Sequence, residues 1–550
     1  MKNKSIMKTW GAIVGVFALA LALRLIGLTW GLPTREHWYS YHPDEAQMLW
    51  AMISLDFFNG DFNPNFFNYP SLYIYLASFT RMLAGGLGLA HGPSNDPALA
   101  ALFARDIILS ARVVTAVLGA ATAPLVYLTV RQIGGAKIGI LAGVLMAFLP
   151  GHLQHSHFAT VDVPATFFIT LCVWLSVRAL REDVDAQWCR KQLYWAALVA
   201  GLAAATKYNA GLIVVAPLIA WLYQKKKQQF ASTGALAIIA LCGLGFFLGC
   251  PYSILDFPSF WGDGKNMGVA YELLVHPKQG HGDVFLETGN GWVYHALFNA
   301  PFLMSVPLLL VSVAGIVTTR VKRRRETCML FTWVALYFFA LGFSQVRFMR
   351  YLLLLAPALC VFAGCAIIAL RSYRPGLTRV SGTIVLLLTV WGAYGVIYQL
   401  VVTDPRDSAA VWMAQTVGSP ATPVTVGMQG APWFYSPPLS PQDSPPYLPI
   451  PPEQFTQLSG NKYQFIFTGF EASKLQSEKP AFFVMSELEW RERERLGDEG
   501  FFKFMEVLKQ DYDLAINFKN KSALEMPGRD FVPHDFLYPN PEVRIYRRKG

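Results

Sequence analysis

Charge is what this sequence has least of: only 15% of its residues are Asp, Glu, Lys or Arg, against about 25% in a soluble domain. With 53% hydrophobic residues and a mean hydropathy of +0.34, that deficit argues against a water-soluble globule and points to the bilayer. Cysteine is also sparse. Cys172, Cys189, Cys242, Cys250, Cys328, Cys360 and Cys365 lie mostly in apolar segments, none at CxxC spacing. A disulfide framework or a zinc site is therefore excluded as the organising principle. No GxGxxG-type loop is present, which disfavours nucleotide binding. The first apolar run follows Lys2, Lys4 and Lys8 but lacks a small-residue cleavage site. It reads as a retained first span rather than a removed signal peptide.

What charge there is sums to +10, and its position matters more than its size. Lys225-Lys226-Lys227 and Arg320 with Lys322-Arg323-Arg324-Arg325 are short clusters between apolar runs. That is the pattern of the positive-inside rule, not the contiguous basic face of a nucleic-acid binder. A helix needs roughly 20 apolar residues to cross the hydrocarbon. By that ruler the candidate spans are 9–30, 106–130, 137–150, 161–179, 193–206, 208–223, 233–250, 300–319, 327–344, 351–370 and 380–402. The apolar run 69–84 is kept off this set because counting it would place the later basic clusters outside. It is expected to be an interfacial helix, with Tyr69, Tyr73 and Tyr75 at the headgroup boundary.

The expectation is an all-α polytopic plasma-membrane protein of about eleven transmembrane helices over residues 1–402, with a cytoplasmic N-terminus. Its first outer loop is 31–105, with interfacial helices, and a second long outer loop is 251–299. From 403 to 550 the composition changes. Pro437, Pro438, Pro441, Pro445, Pro446, Pro449, Pro451 and Pro452 form a stiff extended segment. Strand-like stretches at 463–468 and 481–485 and a charged helix near 487–510 complete an expected extracytoplasmic α/β domain.

In the first outer loop, Asp44 and Glu45 follow Pro43, where a helix naturally begins. Acidic residues there satisfy the helix dipole and need no further explanation. The loop is also rich in aromatics and poor in other charges, so a carboxylate in it can be partly desolvated and made more basic.

The string Tyr41-His42-Pro43-Asp44-Glu45 after a first span resembles the start of the GT-C glycosyltransferases. The nearest branch is that of the protein O-mannosyltransferases and lipid A aminoarabinose transferases. The resemblance continues through Asn68-Tyr69-Pro70-Ser71-Leu72, Ala111-Arg112, the stretch from His155 to Pro164, Thr206-Lys207-Tyr208-Asn209-Ala210, and Arg347 with Arg350-Tyr351-Leu352-Leu353. It covers roughly residues 10–400 and stops before the C-terminal region.

The resemblance implies a polyprenyl-phosphate sugar donor, an inverting displacement on an acceptor hydroxyl, and the first-loop Asp as general base. Asp44 takes that role with Glu45 as an orienting carboxylate; the sequence does not decide between them, nor does it name the sugar or the acceptor. Asp162, charged at a span end, is expected as a further active-site carboxylate. Lys207, on the side where cations are disfavoured, and Arg347 and Arg350 are expected at the donor phosphate. His42, Tyr69, His155, His157 and His281 are expected to support the site or the acceptor. No cofactor is required; His155, His157 and Asp162 could together hold a divalent metal, but no fourth ligand is identifiable. The competing reading is a transporter or lipid flippase without transfer chemistry, against which stand the absence of matching halves and of midplane charges.

Overall fold

The structure is a computed structural model that describes residues 2–57, 59–225, 233–262, 267–322, 324–444, 450–521 and 532–550. Lys226, Lys227 and Arg323 of the expected basic clusters, and Pro445, Pro446 and Pro449 of the proline run, lie outside them.

The protein is mostly helical, and each expected span coincides with helix. The first helices are α1 (Lys2–Leu25), α2 (Glu45–Ile53), α3 (Leu72–Gly86), α4 (Pro97–Gly134), α5 (Ala136–Ala147), α6 (Pro150–His155), α7 (Asp162–Ala179) and α8 (Ala186–Ala204). Among the described residues, five helical stretches are long and apolar enough to cross a membrane, or up to six if a bent pair counts as one. These make the chain a multi-pass membrane protein.

Three expectations need correction. The segment 300–319 is not one straight helix: it breaks at Ser305 (φ 78°), and the chain bends there by 117°. The helix α5 has 12 residues, about 18 Å at 1.5 Å per residue, because Pro150 opens a new helix after it. Tyr73 is not at a headgroup boundary: it is fully buried, its hydroxyl donating to the Ala111 carbonyl at 2.9 Å and bonding Thr115 at 2.7 Å. The rest of α3 packs along α4.

Local chemistry sets the ends of the longest helix, α4. The Asp96 carboxylate accepts from Leu99 N at 3.0 Å and Pro97 takes the first turn, while Gly135 at φ 93° stops the helix. Small residues allow close helix approach elsewhere. A Cβ on Gly201 of α8 would sit 2.0 Å from the Cys242 carbonyl oxygen, so the neighbouring helix Gly234–Gly249 packs backbone to backbone.

The C-terminal region carries a five-stranded sheet of β1 (Val424–Met428), β2 (Tyr463–Phe467), β3 (Phe482–Ser486), β4 (Tyr512–Phe518) and β5 (Val543–Arg548), in the order β2-β1-β3-β5-β4. β1 is parallel to β2 and β3, whereas β5 is antiparallel to β3 and β4. The charged helix expected near 487–510 is two helices, Glu487–Arg495 and Glu499–Asp511. Gly497 at φ 70° turns the chain, and Asp498 caps the second helix by accepting from Phe501 N at 3.0 Å.

Candidate active site

Asp44 and Glu45 are adjacent in sequence and opposite in circumstance. Glu45 is fully buried. Arg112 Nε and Nη2 each lie 2.7 Å from one of its oxygens, the Ala159 amide donates at 2.7 Å, and the Ser40 hydroxyl donates to it as well. Burial disfavours its charge, but the Arg112 guanidinium prevails and holds its carboxyl below the ordinary value. Arg112 also donates to the carbonyls of Leu28 and Trp30 at 2.8 and 2.6 Å. This pair ties α2, α4, the end of the first span and the 155–160 turn together. With all its acceptor sites taken, Glu45 is an anchor.

Asp44 sits at the N-cap of α2, yet its side chain accepts no capping hydrogen bond. Its Oδ2 instead lies 3.0 Å from Arg350 Nη1. That Nη1 is buried and has no hydrogen-bond partner among the described residues, so the pair touches without aligned hydrogen bonding. The Arg350 guanidinium lies 4.2 Å over the Phe348 ring. Dipole satisfaction alone would leave the Asp44 carboxylate on the helix end; the geometry turns it toward a cation.

Arg350 also lines a cavity of about 350 Å³, together with Tyr69, Asp162, Lys207, Glu272, His276 and Tyr351, among others. Asp162, the first residue of α7, forms a buried ion pair with Lys207. The Lys207 ammonium also lies 4.5 Å over the Tyr351 ring. Burial pushes the Tyr69 phenol well up, so it remains a hydrogen-bond donor. His42, beside Asp44, accepts from the Asp44 amide through Nδ1 at 3.3 Å; burial pushes its imidazole well below the usual range, so it is neutral.

The structure thus brings Asp44, Arg350, Tyr69, Asp162 and Lys207 together, with His42 behind them. Four other candidates stand apart from the cavity. Arg347 donates to Thr288 Oγ1 at 2.7 Å and the Gly289 carbonyl at 2.8 Å, holding the 251–299 loop. The two ring nitrogens of His157 lie 2.8 and 3.0 Å from the carbonyls of Leu153 and Ile26, one of which accepts its N–H. His281 packs its ring 5.1 Å from Phe348. His155 meets a residue that sequence reasoning missed, Asp535, with Nε2 at 3.5 Å from its carboxylate. Among the described residues, no group of three or more His, Cys, Asp or Glu is placed to hold a metal.

Asp535 comes from the C-terminal region and is fully buried against the membrane part. Its oxygens accept from the amides of Met349 at 3.2 Å and Arg350 at 2.9 Å. These are the first amides of the 3-10 helix Met349–Leu355 that carries Arg350. Burial opposes its charge, but His155 and Arg350 hold the carboxyl at about 2. Tyr538 lies beside Arg350 and packs its ring 5.0 Å from His42. Arg406 is fully buried as a fork on Asp404 and donates to the Tyr538 carbonyl at 2.7 Å. It lies 3.9 Å over the Tyr41 ring. The only sequence signal was a proline-bracketed run, Pro533-His534-Asp535-Phe536-Leu537-Tyr538-Pro539, whose partners lie far away in the chain.

Comparison with known proteins gives two kinds of match. The model of the dolichyl-phosphate-mannose-protein mannosyltransferase family matches residues 79–258. An uncharacterized protein of Aquifex aeolicus (strain VF5) is 24% identical over 268 residues, 46% of this chain and 48% of its own length; the match thus spans about half of that relative. Among solved structures, ArnT from Cupriavidus metallidurans, crystallised with undecaprenyl phosphate, superposes with a TM-score of 0.50 at 15% identity. That match covers 97% of this chain and 98% of ArnT. The fold is GT-C-like, as the resemblance in the sequence led us to expect.

Proposed function

We propose that this protein is a glycosyltransferase that moves a sugar from a polyprenyl-phosphate carrier to an acceptor hydroxyl, with inversion and with Asp44 as general base. One observation carries the reading: a carboxylate that makes no capping bond faces a buried arginine whose Nη1 has no hydrogen-bond partner among the described residues, at the edge of a cavity that holds a second cation. The family match, to proteins named for using a dolichyl-phosphate sugar, supports the donor class.

In this mechanism Arg350 and Lys207 receive the donor phosphate. Asp44 takes the acceptor proton as the acceptor oxygen attacks the anomeric carbon. The bond from that carbon to the phosphate oxygen breaks, and its electrons leave with the polyprenyl phosphate, which gains one negative charge. Arg350 and Lys207 meet that charge as it develops. Asp162 keeps Lys207 in place, and Glu45 fixes the start of α2 through Arg112. Residues 1–402 form the catalytic membrane module and 403–550 a domain on its extracytoplasmic face, with the N-terminus in the cytoplasm.

The test is transfer in membranes from radiolabelled polyprenyl-phosphate sugars, comparing the native chain with Asp44→Asn. Transfer lost with donor binding kept supports the reading. Unchanged transfer removes Asp44 as the base, and label that crosses the membrane without a new glycosidic bond replaces the enzyme with a transporter.

A further inference from the structure

A second large cavity lies at the opposite end of the bundle from Asp44. It measures about 820 Å³ and is lined by the ends of α4 and α7, the turn after α7 and the residues at 324–326. On α4 the distance from Arg112 to Arg131 is nineteen residues, about 28 Å along a helix. The cavity is therefore about one hydrocarbon thickness from the carboxylates of the candidate active site.

Five arginines line this cavity: Arg131, Arg178, Arg181, Arg324 and Arg325. Three are engaged: Arg181 pairs with Asp183, Arg325 pairs with Glu182, and Arg324 donates to the Ile133 carbonyl at 3.0 Å. Arg131 and Arg178 have no carboxylate partner among the described residues. Arg178 is clamped between the rings of Trp174 and Trp188, each 4.7 Å from its guanidinium carbon. Such stacking fixes the plane of the guanidinium and leaves its edge for an oxyanion. Leu128, Ile133 and Leu180 give the same cavity an apolar side.

The positive-inside rule accounts for basic residues at this end of the bundle. It does not call for two unpaired guanidiniums, one of them ring-clamped, inside a concave site with an apolar wall. The geometry points to a binding site for the phosphodiester headgroup of an anionic phospholipid in the leaflet opposite the candidate active site. Arg131 and Arg178 take the phosphate, and the leucine and isoleucine wall takes the start of the acyl chains. Basic pockets between transmembrane helices bind such headgroups by the same combination.

The experiment is native mass spectrometry of the purified full chain in detergent with equal phosphatidylglycerol and phosphatidylcholine. The native chain is expected to retain one phosphatidylglycerol in clear preference. R131Q/R178Q should weaken that retention about thirtyfold, from two surface-proximal charges. R371Q/R374Q removes two exposed charges that do not line the cavity and should leave retention intact, and R131K/R178K should restore much of it. Equal weakening by both neutral pairs would reduce the effect to general surface charge and overturn the site. So would equal retention of the two lipids by the native chain, a measurement that needs no variant to fold. Displacement by inorganic phosphate, with no preference between the lipids, would assign the cavity to free phosphate and overturn the lipid.

Discussion

Replacing Asp535 by Asn keeps the shape of the side chain and removes its charge, which makes it a sharp test of how the C-terminal region holds the site. The carboxyl is fully buried, accepts from the amides of Met349 and Arg350, and is held at about 2 against an ordinary value of 3.8. A folded value depressed by that much contributes about 2 kcal/mol to stability at neutral pH. Because the folded value lies below the unfolded one, the contribution is complete above about pH 5 and is lost as pH falls toward 2. By about pH 3 roughly half of it remains. Denaturant unfolding of the C-terminal region in detergent, followed at several pH values, checks this. Asp535→Asn should be less stable than the native chain by about 2 kcal/mol at pH 7, with the gap narrowing on acidification. In a transfer assay the same variant should raise the donor KM more than it lowers kcat, since it loosens the helix that presents Arg350. A stability gap that is absent at pH 7, or that does not narrow with acid, would refute the cap.

Asp44→Asn should lower kcat by about 10²–10⁴-fold, as expected for a lost general base, with a smaller loss of stability than Glu45→Gln because Asp44 is the more exposed carboxylate; a normal kcat would send the role elsewhere. Glu45→Gln should do the reverse, costing about 3–5 kcal/mol by leaving Arg112 buried and unpaired, read as poor accumulation and a lower unfolding midpoint. A stable but inactive Glu45→Gln would instead place that carboxylate in the chemistry. Arg350→Lys should raise the donor KM, because a point charge replaces a planar fork; donor affinity equal to the native chain's would remove Arg350 from the phosphate.

Most of the membrane part was legible because long apolar runs have one solution in lipid, a helix with its backbone groups paired internally. What escaped were the features that depend on partners far away. The break at Ser305 follows no glycine, and although Pro307 in the first turn of the next helix marks a restart, a proline does not fix the size of the 117° bend. Tyr73 looks like its neighbours Tyr69 and Tyr75, and only the packing of α3 on α4 buries it against Ala111 and Thr115. The division of labour between Asp44 and Glu45 is invisible locally, since it is decided by Arg112, 67 residues away from Glu45, and by Arg350. His157 looked like half of a His-x-His ligand pair until both nitrogens were found facing backbone carbonyls. The largest omission, the seating of Asp535 and Tyr538 beside Arg350, lay where the resemblance had ended, in a region that carried no motif.

The cap on Met349–Leu355 also sets a clock. Asp535 leaves the ribosome 185 residues after Arg350, roughly 10–40 s later at ordinary elongation rates. In the last part of that interval, once Val401 has closed the final span, the 3-10 helix bearing Arg350 still lacks the acceptor for its leading amides. A newborn chain is therefore a complete bundle with an unfinished site. A chain that stops between β4 and Asp535 loses β5 as well, the strand that joins β3 to β4, so one truncation removes both the cap on Arg350's helix and the sheet that delivers it.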